Sequence, residues 1–137
     1  MIRYADQNDF ELLREHDRHI GESELKRGID AQRVLVMFEQ DAFVGWLRFN
    51  LFWDEVPFMN MLYFLEEYRG KGFGTRLTRH WEEEMAKRGC ERVLTSTLSN
   101  ERAQFFYRKN GYVDCGSLLL PGEPLEIILL KELSDTN

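Results

Sequence analysis

Arg69-Gly70-Lys71-Gly72-Phe73-Gly74 stands between an apolar run at 58–65 and a helical pattern that begins at about Gly72. The order is strand, tight glycine turn, helix start. Three glycines in this stretch let the backbone pass close to a ligand and take left-handed conformations that a Cβ would forbid. The first N–H groups of the following helix have no intrahelical partner, and the helix dipole adds partial positive charge at the same end. A diphosphate suits such a place. Spacing excludes two nucleotide motifs. The phosphate loop of NTPases needs Lys and then Ser or Thr directly after its last glycine, whereas Gly74 is followed by Thr75 and Arg76; the dinucleotide fingerprint needs two residues between its second and third glycines, and here Phe73 stands alone.

What remains is Arg69 followed by Gly72 and Gly74, and this resembles the acetyl-CoA pyrophosphate loop of the GNAT family of N-acetyltransferases: Gln or Arg, two residues, Gly, one residue, Gly or Ala. A second landmark follows. Residues 92–97 (Arg-Val-Leu-Thr-Ser-Thr) read as a β-rich run, and Ser99-Asn100 can cap a helix that runs from Glu101 through Arg108 towards Gly111. This looks like the family's Asn, Ala, Tyr, Gly, Tyr/Phe segment. Helical spacing puts Asn100, Ala103 or Gln104, and Tyr107 on one face. Taken alone, Asn100 reads equally as a plain helix cap and Tyr107 as a core aromatic.

The resemblance runs over nearly the whole chain. It implies an α+β GNAT fold in a single domain, 1–137, with a mixed, mostly antiparallel sheet of about six to seven strands flanked by about four helices and splayed at the cofactor strand. It implies acetyl-CoA (coenzyme A) as cofactor and direct N-acetyl transfer to a primary amine of a small molecule or peptide. The cofactor-binding residues implied are Tyr63, Phe64 and Leu65 through their backbone, Arg69, Gly70, Lys71, Gly72, Phe73, Gly74 and Thr75 at the diphosphate, and Asn100, Ala103 and Tyr107 on the later helix. Tyr107 matches the family's tyrosine that protonates the departing sulfur, a general acid whose phenol is weak near neutrality. Members that use a carboxylate base often place it on the cofactor strand, where this chain has Phe58. Asp54, Glu55, Asn60, Glu66 and Glu67 lie nearby, and Glu55, acting directly or through water, is the preferred base. The other reading is a loop charge, with the amine losing its proton to solvent. A module that binds acyl-CoA without turnover, as a sensor or regulator, is the alternative that Phe58 favours.

Composition agrees. A chain of 137 residues, 43% hydrophobic, supports one domain with a substantial core. It has no apolar run of membrane-spanning length and no secretion signal at its start, which predicts a cytoplasmic protein without membrane contact. Cys90 and Cys115 are too few for a disulfide framework and read as reduced and structural. The net charge of −6 argues against a nucleic-acid surface, yet Arg69, Lys71, Arg76 and Arg79 crowd the glycine loop with no acidic residue among them. Arg76 and Arg79 fit either a solvated helix face or a ribose phosphate. His16 and His19 have a chelating spacing, but nothing completes a metal site. His80 reads as solvated or partnered to a glutamate.

Along the chain, a short strand at 2–5 precedes a helix capped by Asn8 or Asp9 with Phe10, Leu13 and Ile20 on one face, and a weaker helix at 23–27 follows. Runs at 34–38 and 42–52 form a hairpin through Glu39-Gln40-Asp41. The helix at 72–88 buries Phe73, Leu77, Trp81 and Met85 and turns Glu82, Glu83, Glu84 and Lys87 outwards. Strands at 112–120 and 125–131 flank the turn Pro121-Gly122-Glu123-Pro124. By the resemblance, the acceptor region includes Phe49, Phe52, Trp53, Asp54, Glu55, Phe58, Met59 and that last turn. Aromatics beside carboxylates suit a cationic amine, although Phe49, Phe52 and Phe58 also read as core. Monomer and homodimer are both open.

Overall fold

The structure, a computed structural model, describes residues 1–133. Its elements are β1 (Ile2–Tyr4), α1 (Phe10–His16), α2 (Glu22–Asp30), β2 (Val34–Glu39), β3 (Ala42–Phe52), β4 (Val56–Phe64), α3 (Phe73–Lys87), β5 (Arg92–Leu98), α4 (Ala103–Lys109), β6 (Val113–Leu118) and β7 (Glu126–Glu132). The seven strands take the order β1-β2-β3-β4-β5-β7-β6. The β1/β2, β2/β3, β5/β7 and β6/β7 ladders are antiparallel and β4/β5 is parallel. This is the mixed, mostly antiparallel sheet with four helices that the resemblance implied. The chain resolves into two compact units, Met1–Asn50 with Met61–Trp81, and Leu51–Asn60 with Glu82–Asn137.

In the first unit, the register of β2 against β3 follows from the two-residue turn between them. Gln40 and Asp41 both have positive φ, 49° and 68°, the backbone of a turn whose twist matches that of the flanking strands. Asp9 takes the N-cap position of α1, one of the two residues the sequence offered, but makes no side-chain cap bond there. The side-chain cap lies a turn earlier: Asp6 accepts from the Asn8 amide while the Asp9 carboxylate accepts from the Asp6 amide. The reason is a 3₁₀ turn at Gln7–Asp9 that precedes α1. Asp9 is then gripped by Arg3 through two hydrogen bonds of 2.7 and 3.0 Å. Ile20 lies past the end of α1, and α2 is longer than expected, starting at Glu22 and reaching Asp30. Phe10 and Leu13 of α1, Leu25 and Ile29 of α2, and Val34, Val36 and Trp46 of the strands form one buried cluster, with Ile20 packed against it.

A buried ion pair braces the connection between α1 and α2. Asp17 is only 4% exposed, and its carboxylate accepts from Arg48 Nε at 2.8 Å, Arg48 Nη2 at 3.2 Å and Trp46 Nε1 at 3.1 Å. Burying the charge is tolerable because each oxygen has donors. His16 packs its ring against Phe43 and Trp46.

In the second unit, β5 pairs with β7 along its whole length, from Arg92 opposite Glu132 to Leu98 opposite Glu126. β6 folds back on the other side of β7 and is exposed along its length. The reading of Cys115 as structural is therefore corrected: it is a free, exposed thiol on this strand. Glu82 is corrected too. It is buried rather than solvated, because it accepts from the Tyr112 hydroxyl at 2.7 Å and pairs with Lys131 Nζ at 2.9 Å. Within α3, Leu77, Trp81 and Met85 are fully buried as the spacing predicted, and Phe73 is half-buried.

Candidate functional site

The candidate site residues fall into two groups, one in each unit. In the first unit, β4 ends at Phe64 and a 3₁₀ turn, Glu66–Tyr68, leads into the glycine loop. Gly70 and Gly72 have φ of +73° and +85°, and a Cβ on either would meet nothing within 4 Å. The conformation demands glycine and leaves open space where side chains would stand. The Arg76 amide makes its helical bond to the Gly72 carbonyl at 3.2 Å, so the amides of Phe73, Gly74 and Thr75 at the start of α3 have no intrahelical acceptor. Gly74 does not share the left-handed conformation of its neighbours; it lies inside the first turn of α3. An open cradle backed by free amides and a helix dipole fits a diphosphate.

The basic side chains of this loop rest on aromatic rings. Arg69 lies 4.9 Å above the Tyr63 ring and donates from Nε to the Phe64 carbonyl at 2.8 Å. That leaves its terminal nitrogens for an anion. Lys71 lies over Tyr68 and Arg76 over Phe73. Arg76 also approaches Glu39 at 3.7 Å, an exposed pair of small energetic weight.

The backbone donors and acceptors of β4 are more restricted than the sequence suggested. The Leu65 amide is not free: it donates to the Val44 carbonyl at 3.0 Å. Successive strand residues direct their backbone groups to opposite sides, so Leu65 and Tyr63 turn theirs towards β3 while Phe64 and Leu62 turn theirs away. Leu62 stands outside the residues that the resemblance implied. Gly45 on β3 is another. A Cβ there would collide with the Phe64 ring and the Tyr63 carbonyl, so this position must lack a side chain for the strands to lie as they do. A glycine inside an otherwise apolar β run is the signal that could have revealed it.

In the second unit, Tyr107 of α4 is 7% exposed. Its ring meets Tyr112 edge-on at 5.6 Å. Burial pushes this phenol above its ordinary range, Thr95 opposes the shift, and Glu101 adds to it. Tyr107 is thus held neutral at physiological pH. The Tyr112 hydroxyl is fixed by Glu82, and Gly111, at φ +98°, makes the turn between the two tyrosines beside the Lys131 side chain.

Asn100 does not sit on the helix as its spacing implied. It is exposed in the turn before α4, whose first helical residue is Ala103 and whose cap is Arg102 without a side-chain bond. The turn is tied instead by Gln104, whose Nε2 donates to the carbonyls of Ser99 and Glu101 at 2.8 and 2.9 Å. Ala103 is exposed at the head of α4. Glu55 lies in a tight turn between β3 and β4, closed by its amide on the Phe52 carbonyl at 3.1 Å, with Trp53 and Asp54 both at positive φ. Its carboxylate is exposed and is not among the groups around the Tyr107 phenol. Of the apolar side chains around that turn, Trp53 is 77% exposed and Phe52 40%, whereas Phe49 and Met59 are core. Phe49 packs against Trp81, which removes it from any acceptor surface.

Comparison with known proteins follows this geometry. N-alpha-acetyltransferase 30 of Schizosaccharomyces pombe is 36% identical over 56 residues, which are 40% of this chain and only 37% of that protein's length. The fold is shared with paiA N-acetyltransferase from Thermoplasma acidophilum, solved with coenzyme A, at 19% identity and a TM-score of 0.79 over 96% of this chain and 98% of that one. It is shared equally with Ard1 from Thermoplasma volcanium, at 15% identity and a TM-score of 0.82 over 98% of each chain. The sequence profile of the acetyltransferase (GNAT) family matches residues 3–112, from β1 through the glycine loop to Tyr112, and the chain belongs to that family.

Proposed function

We propose that this chain, its two units acting as one catalytic domain, is an acetyl-CoA-dependent N-acetyltransferase that passes an acetyl group directly to a primary amine. The observation that carries the reading is the open cradle at Gly70 and Gly72 in front of the free amides of α3. Acetyl-CoA supplies the acetyl group as an activated thioester. Arg69, Lys71 and the amides of Phe73, Gly74 and Thr75 hold the diphosphate. The outward-turned backbone groups of Leu62 and Phe64 bind the pantetheine arm and polarise the thioester carbonyl. Tyr107, buried and neutral, gives its proton to the departing sulfur. Glu55, directly or through water, takes the proton of the amine.

The acceptor is a small amine or the amino end of a peptide. Exposed Phe52 and Trp53 beside Asp54 and Glu55 suit a cationic amine with some apolar body. The name of the yeast relative adds weight to a peptide α-amine. The test is thiol release from acetyl-CoA across a panel of short peptides with free amino ends, polyamines, aminoglycosides and amino acids. Release with one class identifies the acceptor chemistry. No release with any class, while calorimetry still detects CoA binding, would replace this reading by that of an acyl-CoA sensor, which Phe58 in place of a strand carboxylate favours. Gly72→Val, forced into a backbone only glycine adopts at ease, is expected to lose CoA binding; retained affinity would move the diphosphate elsewhere.

A further inference from the structure

Arg69 is held in two ways at once. Its Nε donates to the Phe64 carbonyl at 2.8 Å, and its guanidinium carbon stands 4.9 Å from the centroid of the Tyr63 ring. The neighbouring cations of the loop are held less closely. Lys71 stands 5.9 Å from the Tyr68 centroid, and Arg76 stands 5.4 Å from that of Phe73 with Glu39 competing for its charge at 3.7 Å. Elsewhere Arg3, Arg14, Arg48 and Arg108 each hold a carboxylate at 2.7–2.9 Å, whereas Arg69 has no carboxylate partner among the described residues. The Tyr63 ring has a fixed backing of its own. It lies 5.1 Å from the ring of Trp46, which is 1% exposed and donates from Nε1 to Asp17 at 3.1 Å. Asp17 is in turn buried and paired with Arg48. All of these residues belong to the first unit. Restraint therefore runs from a buried carboxylate through two rings to one guanidinium at the surface.

We propose that Tyr63 is a positioning residue for cofactor binding: its ring, braced by Trp46, holds the Arg69 guanidinium ready for the diphosphate before the ligand arrives. The proposal rests on the reading of the glycine loop as a CoA diphosphate site. An unrestrained arginine loses rotamer freedom when it grips an anion, and a side chain ordered beforehand has less to lose. The ring attracts the cation electrostatically, yet unlike a carboxylate it neutralises no charge, so Arg69 keeps its full charge for the phosphates. With Nε spent on Phe64, the two terminal nitrogens remain as a planar pair of donors, a geometry that matches two phosphate oxygens. The backbone groups of Tyr63 turn towards β3. Its contribution to the cofactor therefore comes through the side chain and not, as the resemblance implied, through the main chain.

The experiment compares Tyr63→Leu, which keeps an apolar side chain against Trp46 and removes the ring, with Tyr63→Phe, which keeps the ring. Tyr63 is 43% exposed, so both variants are expected to fold. Each is made in the unsubstituted protein and in Arg69→Ala. Without any cofactor present, the Hε resonance of Arg69, identified by its loss in Arg69→Ala, is expected to move in Tyr63→Leu as the ring current vanishes and to stay near its place in Tyr63→Phe. Calorimetry with CoA is expected to show affinity lowered about fivefold in Tyr63→Leu, mostly recovered in Tyr63→Phe, and not lowered further by Tyr63→Leu in the Arg69→Ala background. In acetyl transfer the same loss should appear in the KM for acetyl-CoA with kcat nearly unchanged. An equal loss of affinity with and without Arg69 would mean that the ring touches the cofactor directly and would overturn the positioning role. So would an Hε resonance unmoved in Tyr63→Leu, or a loss in Tyr63→Phe as large as in Tyr63→Leu. Absence of CoA binding by the unsubstituted protein, with the resonance shift intact, would instead overturn the diphosphate reading of the loop.

Discussion

A buried phenol keeps its proton. Tyr107 is desolvated, which disfavours its anion, and that leaves the proton in place at every physiological pH. For a group that must be protonated to act, activity persists below its pKa and falls as pH rises through it. The shift is upwards from 10.0, so the alkaline limb assigned to Tyr107 in kcat is expected above about pH 10. In Tyr107→Phe, kcat is expected to fall about 10²- to 10⁴-fold, the usual yield of general acid catalysis, with CoA affinity by calorimetry nearly unchanged. Unchanged turnover would take the phenol out of the mechanism.

At the scale of elements, two side-chain choices hold the first unit's pieces in register. The Asp17 carboxylate ties the connection after α1 to Trp46 and Arg48 of β3. Removing it strands a guanidinium that is only 8% exposed. Asp17→Ala is therefore expected to cost about 3–5 kcal/mol in urea unfolding, against little change for loss of the exposed Arg14–Glu11 pair. Gly45 works by having no side chain. Gly45→Ala drives a methyl into the Phe64 ring and the Tyr63 carbonyl, and an overpacking cost of about 1–3 kcal/mol is expected. Because the displaced residues include Phe64, whose carbonyl holds Arg69, CoA affinity should weaken as well. Calorimetry showing wild-type affinity in that variant would detach Gly45 from the site.

For the molecule as a whole, a ligand that binds only the folded chain must raise its stability by mass action. CoA at about a hundred times its dissociation constant is expected to add about 2.7 kcal/mol, seen as a rise in melting temperature, whereas ATP at equal concentration should add much less. An equal response to both would mean that the loop recognises phosphate without the pantetheine arm. No helix of the described residues is long and apolar enough to cross a membrane.

The sequence by itself determined the parts of this protein whose physics is local. Glycines at 70 and 72 force a left-handed loop, the four-residue spacing of Leu77, Trp81 and Met85 defines a buried helix face, and the two-residue turn after Glu39 sets a hairpin. Those features were readable because each depends on neighbours within a few positions. What only the tertiary structure decided are properties that depend on partners far along the chain. Glu82 sits in a run of three glutamates and looks solvated, until Tyr112 and Lys131 bury it. Leu65 looks available, until Val44 takes its amide. Thr95 reads as one more β-branched strand residue, until folding brings the Met59 carbonyl to its hydroxyl. Burial and hydrogen-bond partnership are set by contacts across the fold, and no local pattern encodes them.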